Sequence, residues 1–341
     1  MGTAVRTLAA GDDGARLPVS QTKVVRRCGE RDLAALLYRP AGSAPDRAAL
    51  LVPGVSERGC YHPRLVALAR ALAAKGFVVV TPDIESFRRF EVAPEALEEI
   101  AFWHGALPDA AGIRPHRRGI IGISFSGTLA LLAAARPDTR DSVDFVLAIG
   151  PYDDLGRLGE SWFADGPRTV AEGRYPNRCY GKWILMLQAL DLVPGEADRE
   201  FLREALHKLL LEGKAPPAPP NLGAEAARWY RAAILPETES DPEIARQIQE
   251  RLEPLYRRLS PAAAAAARAE IFLAHGAFDD LIASSESRAL AKRLPAGQVH
   301  LLITPFLTHT HPLDKPLTVG EKARGVTDMV GFLYALARVA R

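Results

Sequence analysis

Short continuous apolar runs alternate with segments of helical periodicity along most of this chain, and this alternation limits the fold more than any other feature. Apolar runs that lack period-two alternation are typical of strands buried on both faces of a sheet. The strand-like runs are 48–52, 77–80, 119–123, 143–149, 271–274 and 299–303. The helical segments among them are 63–75, 93–107, 127–135, 285–294 and 326–339. This order predicts an α/β fold with a mostly parallel central sheet and helices on both faces.

Two other segments depart from this alternation. Two β-prone runs, 22–25 and 33–38, are separated by CysGlyGluArgAsp and predict an opening hairpin. Strand signals then vanish between about 153 and 267, where the helical patterns are 182–192, 197–211, 224–235 and 243–259. The proline-rich stretch 215–220 cannot continue a helix and is expected to connect two of them. We therefore expect a core of residues 19–152 and 268–341, interrupted by a helical insertion at 153–267.

Composition and charge argue against several classes of protein. The 341 residues include 43 Lys and Arg against 41 Asp and Glu, without a long basic run among aromatics, so we expect no nucleic-acid partner. Cys28, Cys60 and Cys179 form no CxxC pair and are expected to be reduced thiols. No apolar stretch reaches the roughly 18 residues of a membrane span, and acidic residues interrupt the first segment. We expect a cytoplasmic protein, and the sequence does not indicate its oligomeric state.

The strongest local motif is GlyIleSerPheSerGly at 122–127, which lies between an apolar strand and an apolar helix. This context is typical of a nucleophile elbow, a sharp strand-to-helix turn that exposes a serine hydroxyl. Gly122 supplies one of the small neighbours that such a turn needs, and Ser126 stands where a second glycine is usual. We interpret Ser124 as the nucleophile; the plainer interpretation is a Gly/Ser-rich turn without catalytic function.

A serine hydroxyl needs a base that removes its proton and a third group that orients the base. Asp279 follows the run 271–274, and His309 follows the run 299–303. Both residues therefore belong to loops at the carboxyl ends of predicted strands, where ligands bind in open α/β sheets. The chain order Ser124, Asp279, His309 is the order found in hydrolases with a nucleophile elbow.

Other residues compete for these two functions. Asp280 adjoins Asp279, and Asp153 and Asp154 also follow a strand, so each of the three is an alternative acid. His311 is two residues beyond His309, and a HisThrHis sequence can resemble a metal-binding pair. No acidic or cysteine cluster completes such a metal site in the sequence, and we interpret His311 as a neighbouring or surface residue.

These motifs resemble those of the α/β-hydrolase superfamily, specifically its bacterial esterase and dienelactone-hydrolase-like group. The resemblance covers about residues 20–150 and 268–339 and leaves the helical insertion unmatched. His275, Gly276 and Asp279 match the HisGlyxxAsp pattern that carries the acid in that family. Pro305, four residues before His309, matches the proline before the family's catalytic histidine. The resemblance implies an α/β-hydrolase fold and a Ser-His-Asp triad.

Acyl transfer also requires donors for the oxyanion, which are usually two backbone N–H groups. We expect these donors to be Phe125, just after the nucleophile, and Val55, in the loop that follows the run 48–52. Relatives commonly have HisGly in that loop, where this chain has Pro53 and Gly54. The side chain of residue 53 matters little to a backbone donor, so the Val55 prediction stands.

We therefore predict hydrolysis of a carboxylic ester, or of a related acyl bond, in a small-molecule acyl substrate. The triad needs no metal or organic cofactor, so we expect neither. No GxGxxG motif opens a βα turn and no phosphate-binding loop with lysine is present, which argues against a dehydrogenase or an NTPase. The alternatives are a thioesterase or a peptidase with the same triad, or a catalytically silent hydrolase fold that binds ligands. The insertion at 153–267 is expected to form a helical cap over the site, since it leaves the sheet at its carboxyl edge.

Overall fold

The structure is a computed structural model that describes residues 18–41, 45–164, 177–234, 241–307 and 317–340. The described residues form two compact units. The larger unit contains those of Met1–Arg89, Ala93–Asp153 and Pro261–Arg341, and the smaller unit contains those of Phe90–Val92 and Asp154–Ser260.

The larger unit is built on a sheet of eight strands. These are β1 (Val19–Cys28), β2 (Arg31–Pro40), β3 (Arg47–Val52), β4 (Phe77–Pro82), β5 (Arg117–Ile123), β6 (Phe145–Ile149), β7 (Glu270–Gly276) and β8 (Val299–Thr304). The strand order across the sheet is β1-β2-β4-β3-β5-β6-β7-β8. The β1–β2 hairpin and the β2–β4 pair are antiparallel, and every other pair is parallel. The predicted mostly parallel sheet and the opening hairpin are both confirmed.

Helices of the larger unit pack on both faces of the sheet. They are α1 (Pro63–Ala74), α2 (Glu85–Arg88), α3 (Glu95–Ala111), α4 (Phe125–Ala135), α10 (Ser284–Arg293) and α11 (Val319–Val339). Side chains of β3 alternate between the faces, so Ala49 and Leu51 join the core beneath α1 and α11. Leu50 points to the opposite face, on which α3 packs against β3 and β4 and α4 packs against β5 and β6.

Helix α4 begins two residues earlier than the apolar periodicity predicts, at Phe125 and not at Gly127. The reason is the sharp turn at Ser124, after which the backbone enters helical geometry at once. The early start makes the Phe125 N–H one of the first-turn amides, which have no acceptor within their own helix. The predicted oxyanion donor is therefore located at the amino end of a helix.

The smaller unit is helical in its described parts. Its helices are α5 (Leu155–Phe163), α6 (Asn177–Gln188), α7 (Glu196–Glu212), α8 (Ala224–Ile234) and α9 (Pro242–Arg258). The proline-rich stretch 215–220 connects α7 to α8, as predicted. Lys182 Nζ and Trp183 Nε1 donate to the carbonyls of Ala232 and Ala233, each at 3.0 Å, and so satisfy the last turn of α8. Among the described residues, no helix has the length and apolar character required to cross a membrane.

A buried histidine in the larger unit predicts that stability depends on pH. His104 is 0% exposed on α3, and its Nε2 lies 3.1 Å from Ser142 Oγ. The Ser142 hydroxyl donates to the Thr139 carbonyl, so Nε2 carries the ring hydrogen of the neutral imidazole. Its Nδ1 is buried and has no hydrogen-bond partner. Protonation would therefore add a buried N–H without an acceptor.

Burial, and to a smaller extent the charge of Arg118, lowers the pKa of His104 from 6.5 to about 4. The unfolded chain binds this proton more readily, so the contribution of His104 is fully present above pH 6.5 and is lost as the pH falls to 4. We expect the free energy of unfolding to drop by about 3 kcal/mol from this group over that interval. Urea titrations of the wild type and of His104→Gln test this, and identical pH profiles would contradict it.

Candidate active site

The turn between β5 and α4 has the backbone geometry of a nucleophile elbow. Ser124 has φ 60° and ψ −131°, and among the described residues only Phe90 is another non-glycine residue at positive φ. Such a conformation costs about 1–3 kcal/mol and persists only where the surroundings impose it. The Ser124 N–H donates to the Ile149 carbonyl of β6 at 2.6 Å, which fixes the turn against the neighbouring strand. The Ser124 side chain is left partly exposed.

The residues on either side of Ser124 explain how the turn is maintained. A Cβ on Gly122 would clash with the backbone of Ser126 and Gly127, so only glycine fits at that position. Ser126 is 0% exposed, and its Oγ accepts from the Ile123 N–H at 2.9 Å and lies 3.2 Å from the Val52 carbonyl. Serine at the place of a second glycine thus connects the elbow to β3. Because its hydroxyl is enclosed, Ser126 is not a competing nucleophile.

The loop after β3 lies directly beside the elbow. A Cβ built on Gly54 would be 3.3 Å from the Ile123 carbonyl and 3.6 Å from Ser124 Cβ. Val55 is the next residue along this loop, and it is partly exposed. Phe125 follows Ser124 directly, as the first residue of α4. The loop that carries Val55 and the helix that begins at Phe125 therefore both adjoin Ser124.

Asp279 follows β7 and is held by its own loop. Its side chain is 4% exposed, and its Oδ1 accepts from the N–H groups of Leu281 and Ile282, both at 3.0 Å. The second oxygen, Oδ2, lies 3.5 Å from Nε2 of His275. This arrangement leaves the carboxylate buried, fixed in direction and at the carboxyl end of a strand.

His275 organises the acid loop. The ring is 0% exposed; its Nε2 lies 2.7 Å from the Ile282 carbonyl and its Nδ1 lies 2.6 Å from Ser287 Oγ. Both ring nitrogens are thus used to connect β7, the loop and α10. This geometry indicates a structural function for His275.

The alternative acids are in different surroundings. Asp280 is exposed. Asp153 is buried and forms two hydrogen bonds with the Arg293 guanidinium, at 2.8 and 3.1 Å, while its N–H donates to Glu286. Asp154 caps α5 by accepting from the Arg157 N–H. Local structural contacts therefore account for the positions of Asp153 and Asp154, whereas Asp279 lies in the loop with the family spacing.

His309, the predicted base, and His311 lie outside the described residues. The last described residue before them is Leu307, and a Cβ on Gly276 would clash with its carbonyl oxygen. The same Cβ would be 3.6 Å from Asp279 Cβ, so Leu307 lies beside the acid loop. Within the described ranges, no group of three or more His, Cys, Asp or Glu side chains could hold a metal ion.

Replacing Asp279 by asparagine tests its predicted catalytic role separately from its role in the loop. In Asp279→Asn the amide oxygen can still accept from Leu281 and Ile282, so the loop should be retained. If Asp279 is the predicted acid, the loss of charge should nevertheless lower kcat about 10³- to 10⁴-fold, because the base would lose its orienting carboxylate. Asp280→Asn is the matched control and should change kcat less than about threefold, since an exposed charge contributes little. Steady-state ester kinetics on both variants provide the measurement, and equal effects would contradict the assignment to Asp279.

Three structural features near the site were not predicted from the sequence. They are the Ser126 hydrogen bonds, the Asp153–Arg293 pair and the helix α2. The pair joins residues 140 positions apart, and α2 has only four residues, which is too short for a periodicity signal. For Ser126 the signal was available, since a serine in place of a glycine brings a hydroxyl that needs a partner when buried.

No protein-family model and no curated protein matches this sequence. Among solved structures, an acylaminoacyl peptidase in complex with Z-Gly-Gly-Phe-chloromethyl ketone is 14% identical over 93% of this chain and 41% of that chain, with a TM-score of 0.51. A Bacteroides ovatus protein assigned as a dipeptidyl aminopeptidase IV is 13% identical over 96% of this chain and 36% of that chain, also with a TM-score of 0.51. An acylaminoacyl peptidase from Pyrococcus horikoshii is 15% identical over 86% and 38% of the two chains, with a TM-score of 0.48.

The chain spans about two fifths of the length of these proteins. At such low identity the similarity concerns the fold. With its mostly parallel eight-stranded sheet, flanking helices and strand-to-helix elbow, the chain has the α/β-hydrolase fold, as its motifs predict.

Proposed function

We propose that this protein is a serine hydrolase that cleaves a carboxylic ester or a related acyl bond through an acyl-enzyme on Ser124. The observation that carries the proposal is the backbone of Ser124, which holds a non-glycine residue at φ 60° between β5 and α4. A strained residue at the carboxyl edge of the sheet, with its side chain partly exposed, is the arrangement a nucleophile elbow requires. Strained backbone conformations of this kind cluster at functional sites.

In the proposed mechanism, His309 removes the Ser124 proton as Oγ attacks the acyl carbon. Asp279 orients the imidazole and stabilises the imidazolium that forms. The N–H groups of Val55 and Phe125 donate hydrogen bonds to the carbonyl oxygen and stabilise its negative charge. His309 then donates its proton to the leaving group, whose departure forms the acyl-enzyme. Water, activated by His309, attacks the acyl-enzyme and releases the acid and the free Ser124.

The proximity of Leu307 to Asp279 supports the assignment of the base. His309 is two residues after Leu307, so a connection between the imidazole and the acid loop needs only a short length of chain. His311 would require two more residues and lacks the family spacing from Pro305. The assignment to His309 therefore remains our proposal.

The bond that is cleaved has a second candidate. Two structures with TM-scores of 0.51 carry the names acylaminoacyl peptidase and dipeptidyl aminopeptidase IV, so peptide-bond hydrolysis is the alternative. A thioesterase would use the same triad. A catalytically silent fold that binds ligands is the alternative from another class. It would retain the elbow without turnover, and the next experiment separates it from an enzyme.

A pre-steady-state assay with p-nitrophenyl acetate tests the proposal. An acyl-enzyme mechanism predicts a burst of p-nitrophenol, equal to the concentration of active sites, followed by slower turnover if deacylation limits the rate. Parallel assays with a thioester and a peptide p-nitroanilide identify the preferred leaving group. Protein that hydrolyses none of these compounds, and whose Ser124 is not modified by activated esters, would favour the binding protein.

We also propose that residues 153–267 form a cap over the site, with the core at 19–152 and 268–341. The segment leaves the core after β6, whose last residue, Ile149, accepts the Ser124 N–H. It thus begins at the edge of the sheet that bears the nucleophile. Trp183 and Trp229 are buried, and we expect them to maintain the cap by packing. Trp183→Leu and Trp229→Leu should disturb this packing and thereby alter kcat/KM differently for short and long acyl chains. An unchanged chain-length profile would contradict a cap.

A further inference from the structure

The short helix α2 contacts both segments that carry the proposed oxyanion donors. It follows β4 in the larger unit, and its last two residues, Phe87 and Arg88, extend to different partners. Arg88 reaches the loop after β3, and Phe87 reaches the first residue of α4. No step of the proposed mechanism uses either residue.

Arg88 fixes the loop that contains Val55. Its Nε donates to the Glu57 carbonyl at 3.3 Å, two residues beyond Val55, and its NH1 lies 3.5 Å from Asp83 Oδ2. A Cβ on Gly59 would be 2.9 Å from Arg88 Cγ, so the arginine stem packs closely against this glycine. Gly59 has φ 44°, a conformation that also favours glycine. The guanidinium and the aliphatic part of Arg88 therefore contact the loop at Glu57 and at Gly59.

Phe87 supports the other donor. Its side chain is 0% exposed and meets the Phe125 ring edge to face, with centroids 6.1 Å apart. The Phe125 ring is stacked on Tyr152, at 5.3 Å and an interplanar angle of 17°. Tyr152 is in turn fixed by Thr128, whose hydroxyl donates to its carbonyl at 2.6 Å. The Phe125 ring therefore contacts two buried aromatic side chains, Phe87 and Tyr152.

An oxyanion hole depends on the distance between its donors. The donors stabilise the transition state only when both lie within hydrogen-bond distance of one developing oxyanion. Small displacements of such groups reduce the rate without preventing substrate binding, because the charge develops only in the transition state. An element that contacts both donor segments can therefore set catalytic efficiency although it does not touch the substrate.

We infer that α2 sets the separation of the two oxyanion donors, with Arg88 and Phe87 as positioning residues. This inference rests on the proposed acyl transfer at Ser124 and concerns its transition state. A purely structural α2 would contribute to stability and would leave the chemistry of the correctly folded enzyme unchanged. The two possibilities differ in how a transition-state analogue binds.

The test uses the full chain and four variants. Arg88→Met keeps the stem against Gly59 but removes the hydrogen bond to Glu57, and Arg88→Lys restores a cationic donor. Phe87→Leu weakens the contact with Phe125. The control is Arg268→Ala, which removes a surface pair with Asp141 next to the amino end of β7. For each variant, kcat and KM for an activated ester, the Ki of an alkyl boronic acid and Tm are measured, with active sites counted by burst amplitude.

Arg88→Met and Phe87→Leu are expected to lower kcat/KM about tenfold and to raise the boronic acid Ki by about the same factor, with KM nearly constant. Arg88→Lys should recover part of both losses, and Arg268→Ala should match the wild type. Unchanged kinetics in Arg88→Met would overturn the inference. The inference would also be overturned if activity fell only in proportion to the number of active sites or to Tm, while the Ki of the boronic acid stayed constant.

Failure of the proposed function has a different signature. If the wild type shows no burst and no binding of the boronic acid, the acyl-transfer proposal itself fails. If the wild type shows a burst that disappears in Ser124→Ala while Arg88→Met and Phe87→Leu behave as wild type, only the inferred function of α2 is rejected.

Discussion

Ser124→Ala is expected to lower kcat for an activated ester about 10⁴-fold or more and to leave the fold intact. The hydroxyl is the proposed nucleophile, so its removal eliminates the acyl-enzyme. The side chain is partly exposed and lies on a turn fixed by backbone contacts, including the hydrogen bond from its N–H to Ile149. Replacement by alanine keeps these contacts and should change the free energy of unfolding by less than about 1 kcal/mol.

Ser126→Ala is the matched control, because it removes a second serine hydroxyl two residues away. This hydroxyl is buried and connects the elbow to Val52 and Ile123, so the variant should lose about 1–3 kcal/mol of stability. Most of the activity should remain in the folded protein. Steady-state kinetics and urea unfolding on both variants check the pair of expectations. An active Ser124→Ala protein alongside an inactive Ser126→Ala protein would show that the register of the elbow is wrong.

His309→Ala is expected to have the second-largest effect, a loss of about 10³- to 10⁵-fold in kcat. Without the base, Ser124 would have to attack as a neutral hydroxyl. KM should change much less than kcat, because proton transfer takes place only in the chemical step. Steady-state kinetics at several pH values measure the loss.

His311→Ala provides the comparison within the same sequence, HisThrHis. It should reduce kcat less than about tenfold, since only His309 has the family spacing from Pro305. Hydroxide can replace part of a missing general base, so the residual activity of His309→Ala should rise with pH. Comparable losses in the two variants, or a loss confined to His311→Ala, would contradict the assignment of the base.

The strands and the longer helices of the larger unit were predictable because each has a strong local signal. The apolar runs at β3 through β8 lack alternation, most of the longer helices between them have one apolar face, and α4 is buried on every side. The elbow was also predictable, since Gly122 and Ser124 stand between such a strand and such a helix. The early start of α4 at Phe125 was not, because it depends on the φ of Ser124 and not on apolar periodicity.

The surroundings of the site were less predictable, because they depend on contacts between distant residues. Asp153, Asp279 and Asp280 all follow strands, and in the sequence only the family spacing from His275 and Gly276 favours Asp279. In the structure, Asp153 is paired with Arg293, and Asp280 is exposed. Only the fold shows that the side chain of Asp279 is buried, with its carboxylate fixed by two backbone N–H groups.

Modification by a fluorophosphonate tests the central claim most directly, because the reagent forms a stable covalent adduct with an activated serine. We predict one adduct per chain, located at Ser124 by peptide mass spectrometry, absent in Ser124→Ala and formed much more slowly in His309→Ala. Wild-type protein that forms no adduct, or an adduct that maps to a residue other than Ser124, would contradict the account.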